Sequence, residues 1–177
     1  NEIKKREETE IKLSNLANND SLTGIYNRRK IEELCEAELK RSERYSNELS
    51  VIFFDVNDFK IINDKLGHHK GDEVLIKIAS VISQNIRTTD YFGRWGGDEF
   101  LIVLPQTNLY KTEHLVKILE NILTTINFDL KMNRKISCSF GLSQYEKNDT
   151  LDSFLKRADE SMYVNKYNYR QSKLQQL

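Results

Sequence analysis

Residues 94–100 read Arg-Trp-Gly-Gly-Asp-Glu-Phe, and no other stretch restricts the possible folds of this chain so tightly. Two adjacent glycines supply the positive φ angles of a type I′ hairpin turn. The run Phe100-Leu101-Ile102-Val103-Leu104, closed by Pro105, continues as the next strand. The pattern predicts a hairpin with strands over 90–95 and 98–104, and with Asp98 and Glu99 on the lip of the second. Two adjacent carboxylates delivered by a tight turn make an oxygen-rich cation site. The same composition also suits a surface hairpin with solvated acids, so the neighbouring segments decide.

Those segments alternate between helix and strand periods. Ile31, Leu34, Cys35 and Leu39 mark one face of a helix over 27–45. Residues 49–55 form a compact apolar run ending in Asp55, which reads as a buried central strand. Asp58 is placed to cap a short helix over 59–66. After a turn over 67–71, Val74, Leu75, Ile78, Ala79 and Ile82 make an amphipathic helix. Beyond the hairpin, Leu115, Ile118, Leu119, Ile122 and Ile126 mark another helix, 136–141 a strand, and Leu151, Leu155, Ala158 and Met162 a last helix running on towards Arg170. This order implies an α/β (α+β) domain of split βαββαβ, ferredoxin-like type, with a mainly antiparallel sheet flanked by helices. The first strand then lies beside the hairpin, so Asp55 can approach Asp98 and Glu99.

Upstream, residues 2–17 are charged and helix-favouring, with Ile3, Leu13, Leu16 and Ala17 as a thin apolar stripe. That stripe suits either the tail of a signalling coiled coil or a solvated helix. Asn18-Asn19-Asp20-Ser21 breaks it, dividing the chain into a linker helix over 1–18 and a domain over 19–177. The chain opens at Asn1 and runs straight into this helix, which suggests a piece of a longer protein carrying a sensory or receiver domain upstream. No segment is long and apolar enough for a transmembrane helix. A cytoplasmic location is expected, with any membrane anchor in the upstream part.

Charge excludes some partners. Lys plus Arg and Asp plus Glu both number 27, so nothing global favours a nucleic-acid polymer or a membrane, and an anionic ligand must be caught by local charges. Cys35 and Cys138 lie in apolar segments and read as buried free thiols in a reducing compartment.

Asp55, Asp98 and Glu99 at neighbouring strand ends would repel one another without a counter-charge. Two divalent ions resolve this, since Mg²⁺ prefers a few carboxylates plus substrate phosphate oxygens. The chemistry implied is two-metal phosphoryl or nucleotidyl transfer, one ion lowering the pKa of an attacking hydroxyl and the other neutralising a triphosphate.

The chain resembles the GGDEF-domain family, the diguanylate cyclases, over about residues 20–170. The resemblance rests on separated motifs in order: Asp20-Ser21-Leu22-Thr23-Gly24-Ile25-Tyr26-Asn27-Arg28-Arg29, residues 55–64, Gly67-His68-His69-Lys70-Gly71-Asp72, the Gly-Gly-Asp-Glu-Phe hairpin, and Arg157-Ala158-Asp159 leading to Lys166. It implies a nucleotidyl-cyclase (palm) fold and condensation of two GTP into cyclic di-GMP with loss of two pyrophosphates. It further implies two Mg²⁺ or Mn²⁺ per site on Asp55, the Val56 carbonyl, Asp98 and Glu99, with Asp98 or Glu99 helping to deprotonate the ribose 3′-hydroxyl.

By the same resemblance Asn63 and Asp72 read guanine, Lys166 and Arg170 contact the β- and γ-phosphates, and residues 57–59 with Phe59 and Lys60 border the phosphates at a helix N-terminus. Arg87-Thr88-Thr89-Asp90 matches an inhibitory RxxD site for the cyclic product; an ordinary surface Arg–Asp pair is the competing reading. Each domain would hold one GTP, so catalysis demands a homodimer.

Two positions depart from the family pattern. Asn57 replaces a common second aspartate, and Tyr169-Arg170-Gln171 stands where Gly-Arg-Asn is usual, which leaves the path of the last segment open. His68 is expected to be structural, His69 and His114 exposed, and Trp95 and the C-terminal tyrosines packed or partly buried. Two rivals remain: a non-catalytic GTP or cyclic di-GMP receptor on the same fold, and another nucleotide cyclase or palm-type polymerase.

Overall fold

The computed structural model describes residues 2–6, 16–126, 128 and 135–175. Helices α1 (Arg28–Tyr45), α2 (Phe59–Leu66), α3 (His68–Asn85), α4 (Leu109–Thr125) and α5 (Leu151–Leu174) surround strands β1 (Leu49–Val56), β2 (Tyr91–Gly96), β3 (Glu99–Pro105) and β4 (Cys138–Gln144). The sheet order is β2-β3-β1-β4, with every named pairing antiparallel. That is the ferredoxin-like order, and it puts β1 in the centre.

β1 is buried along its whole length because both of its faces are covered. Ile52, Phe54 and Val56 join Val74, Ile78, Ile82 and Leu119 of α3 and α4 in one core. Val51 and Phe53 join Ile31, Cys35, Phe154 and Ala158 of α1 and α5 in the other. A phenylalanine from each strand stacks beneath the strand ends: Phe54 lies 5.0 Å from Phe100, 5.0 Å from Phe140 and 6.1 Å from Phe92 between ring centroids. Such offset contacts fix register as well as adding apolar burial.

Several local expectations change. Only Gly97 of the two hairpin glycines has positive φ (+41°). Gly96 is the last β2 residue, pairing with Glu99, so the two-residue loop is Gly97-Asp98 and the turn is not of type I′. Asp98 therefore sits in the turn itself. The segment expected to turn over 67–71 is helical from His68. It can be so because Gly71 lets α3 approach α2: a Cβ there would lie 1.9 Å from Asn63 Oδ1. Asp58 makes no capping bond and adopts a left-handed conformation (φ 58°). α5 runs through the missing-glycine position to Leu174.

Residues 2–6 and 16–18 are helical. Ile3 and Leu16 are exposed, while Leu13 of the expected stripe lies outside the described residues. Cys35 is buried and Cys138 only half-buried. Burial pushes the Cys35 thiol up to about 12 and the Cys138 thiol up as well, so neither is poised as a thiolate nucleophile. Among the described residues no helix is long and apolar enough to cross a membrane.

Candidate active site

β1 carries Asp55 to the strand end, where its Cα partner across the ladder is Glu99 of β3. Val56 N–H donates to the Asp98 carbonyl at 3.2 Å, tying the hairpin turn to the end of β1. The backbone thus places Asp55, Asp98 and Glu99 at neighbouring positions. Asp55 is 1 % exposed. Its Oδ2 meets the Lys166 ammonium, whereas its Oδ1 is buried without a hydrogen-bond partner.

Burial pushes the Asp55 carboxyl above its ordinary range, and the Asp98 charge adds to this, while Lys166 and Arg170 pull the other way. Glu99 is also raised, by burial and then by the charges of Asp98, Asp55 and Asp159. A site whose acids resist ionisation together is one that a cation stabilises. The donor set is all oxygen, as a hard divalent ion requires, and the orphaned Asp55 Oδ1 offers it a buried ligand atom. Among the described residues no three His, Cys, Asp or Glu side chains form a ready-made cage.

The loop after β1 is clasped to the segment before and into β4. Buried Asn57 donates from Nδ2 to Ser137 Oγ at 3.0 Å and accepts from Ser139 Oγ at 2.7 Å. An amide supplies both a donor and an acceptor here, which an ionised carboxylate could not. Next to it, Asp58 accepts from Tyr169 Oη at 3.1 Å and meets the Lys173 ammonium. Ile61 and Ile62 N–H groups bond the Asp58 carbonyl, so the N–H groups of Phe59 and Lys60 belong to the open first turn of α2.

At the α2–α3 junction, Asn63 Oδ1 is buried without a partner. It lies against Gly71 together with the Phe59 ring, and exposed Asp72 follows directly. Asn63, Asp72 and Phe59 are thus brought to one corner, one turn of α2 away from the loop after β1. Lys166 reaches Asp55 from α5, and Arg170, exposed one turn further along, adds its charge at longer range.

Arg94 braces the hairpin. Its Nε and Nη2 donate to the Gly97 carbonyl at 2.9 and 2.7 Å, and Nη1 to both Asp20 oxygens at 3.2 and 3.3 Å. Against the upward push of burial, hydrogen bonds from Thr23 and the Arg94 charge hold Asp20 below the usual carboxylate range. Beside Glu99, on the α1 and α5 side, lies a cavity of about 560 Å³ lined by Arg28, Trp95, Lys156 and Asp159 among others. The Arg28 guanidinium stands 4.5 Å above the Trp95 ring.

Arg87 and Asp90 close a separate turn before β2. Arg87 N–H donates to Asp90 Oδ2 at 2.8 Å and Asp90 N–H to the Arg87 carbonyl at 3.1 Å, so the link is through backbone. Asp90 Oδ1 is buried without a partner. Both residues line a cavity of about 390 Å³ with Tyr110, Lys111 and His114 of α4.

Sequence reasoning missed Tyr169, Lys173 and the Asp58 side chain. The signal for Lys173 was its seven-residue spacing from Lys166 with no Gly or Pro between. His68, His69 and His114 are all exposed. Tyr163 and Tyr167 are exposed too, against the expected packing, while Tyr169 is half-buried.

Residues 17–172 match the family model described as "Diguanylate cyclase, GGDEF domain". The chain is 35% identical over 145 residues to diguanylate cyclase DgcP of Pseudomonas aeruginosa, covering 81% of this chain and 22% of that protein. It is 36% identical over 159 residues to a diguanylate cyclase of Vibrio cholerae, covering 89% and 49%. The chain therefore spans between about a fifth and a half of these curated relatives. Among solved structures, the coiled coil and GGDEF domain of Caulobacter crescentus DgcB, in complex with c-di-GMP, superposes with TM-score 0.87 at 22% identity, covering 94% of this chain and 90% of that one; at this identity the likeness concerns the fold.

Proposed function

The chain belongs to the GGDEF-domain family, and from that premise we propose that residues 19–177 are a diguanylate cyclase domain, joining two GTP into cyclic di-GMP. The observation that carries this reading is Asp55: a buried carboxylate with one orphaned oxygen, directly across the ladder from Glu99 and next to the hairpin turn. A receptor that only bound nucleotide would have no use for so costly an arrangement. The relatives named diguanylate cyclases support the same reading.

Asp55, the Val56 carbonyl, Asp98 and Glu99 would hold Mg²⁺ or Mn²⁺, two per site, whose chemistry when bound is to neutralise the triphosphate and acidify the attacking hydroxyl. The chain's own groups do the rest. Asn63 and Asp72 pair with the guanine edge beside Phe59, and the unpartnered Asn63 Oδ1 is what a base donor would satisfy. The first turn of α2, with Phe59 and Lys60, borders the phosphates. Lys166 and Arg170 take the β- and γ-phosphates, Lys166 leaving Asp55 as the substrate enters. Asp98 or Glu99 accepts the proton of the ribose 3′-hydroxyl as that oxygen bonds the α-phosphorus and pyrophosphate departs. Repeating the step in the opposite direction closes the ring.

The 3′-hydroxyl belongs to GTP on a second copy, so the reaction takes place in a two-fold homodimer. Arg87 and Asp90 form a product site beside the α4 cavity, where Arg87 engages phosphate and guanine. Residues 1–18 link this domain to a sensory or receiver domain. Use of GTP and two free thiols fit a cytoplasmic setting. Incubation with Mg²⁺ and either GTP or ATP tests the proposal. A cyclic dinucleotide from GTP alone supports it, whereas product from ATP at a similar rate assigns the site to another cyclase, and binding without turnover makes it a receptor.

A further inference from the structure

α5 continues unbroken to Leu174, so Lys166, Arg170 and Lys173 occupy i, i+4 and i+7 of one helical stripe. The two lysines lie about 10 Å apart along the axis, at 1.5 Å per residue. Lys166 reaches Asp55 at the end of β1, and Lys173 reaches Asp58 at the mouth of α2. Tyr169 donates to the same Asp58 oxygen. Asp58 and Tyr169 together hold the ammonium charged, above the ordinary lysine value in spite of partial desolvation.

A carboxylate at the open first turn of a helix opposes the binding of an anion there. Asp58 stands in that place, in a left-handed conformation, and its charge is answered by Lys173. An ammonium group has three donors, so engagement with Asp58 and Tyr169 leaves it capacity for a further acceptor. We propose that Lys173 is a further nucleotide-binding residue, which Asp58 and Tyr169 hold ready for the terminal phosphate of a nucleoside triphosphate. This rests on the reading that the polyphosphate lies along the loop between β1 and α2. It gives the domain a third phosphate cation because the last helix does not end at a glycine.

Calorimetric binding of a non-hydrolysable GTP analogue and of GMP to the whole chain tests this, with thermal unfolding as the check on folding. Lys173→Met should weaken the analogue about tenfold, the worth of one charge-assisted hydrogen bond, and leave GMP unchanged. Its affinity should also depend less on salt. Tyr169→Phe should give a smaller loss of the same kind. In Asp58→Asn with Lys173→Met the analogue should stay weak. Recovery of wild-type affinity in that double variant would overturn the proposal, because Lys173 would then only neutralise Asp58. Equal loss for the analogue and GMP, or no loss, would overturn it too. A wild-type chain that bound neither nucleotide would contradict the proposed function itself, a result read without any variant.

Discussion

Asp55 is the residue on which the account turns, because a buried carboxylate with one oxygen unpartnered is destabilising unless something else needs it. Asp55→Asn removes the charge at nearly constant volume, so the fold should persist by circular dichroism while cyclisation falls about a hundredfold or more. Gly71 gives a second test. A Cβ there would sit 1.9 Å from Asn63 Oδ1, so Gly71→Ala should displace the amide proposed to read guanine. Competition binding should then show GTP weakened about tenfold and ATP little changed; equal losses would remove Asn63 from base recognition. The acids, Asn63 and Asp72 were legible in the sequence because each belongs to a contiguous motif. Asp58 and Lys173 were not, since 115 residues separate them and only the packing of α5 brings them together.

The strands were easy to place, because the apolar run of β1 and the two glycines of the hairpin allow few alternatives. Helix starts were harder. Nothing local distinguishes a turn at Gly67 and Gly71 from a helix whose glycine makes room for a neighbour, and only the contact with Asn63 decides. The end of α5 was undetermined for the opposite reason: without its glycine the segment carries no stop signal before Leu174. The Arg94 clamp makes the hairpin sensitive to acid. Asp20 has a folded pKa below its unfolded value, so its contribution to stability is present above the unfolded pKa, about 3.9, and is lost as pH falls through the folded one. Asp149, also held low in spite of burial, by hydrogen bonds from Arg157 and others, acts in the same direction. Thermal melts of Asp20→Asn should therefore lie below wild type at neutral pH and converge with it as pH falls below the usual carboxylate range; a gap that stays constant on acidification would show that the charge of Asp20 does not matter.

On the proposed reading one domain supplies a nucleotide site and a separate product site but only half of a reaction, so association would be part of catalysis. Arg87→Ala should leave the initial rate nearly unchanged while product accumulates further at late times, as full progress curves would record. Identical late inhibition in both proteins would leave Arg87 and Asp90 as a turn and nothing more. The most direct test of the whole account is the initial rate of cyclic di-GMP formation from GTP and Mg²⁺ as total protein is varied at low concentration, for wild type and Asp55→Asn. The rate should rise with the square of wild-type protein, with two pyrophosphates for each cyclic di-GMP and almost no product from the variant. A rate linear in protein from the lowest concentrations, or a variant as active as wild type, would contradict it.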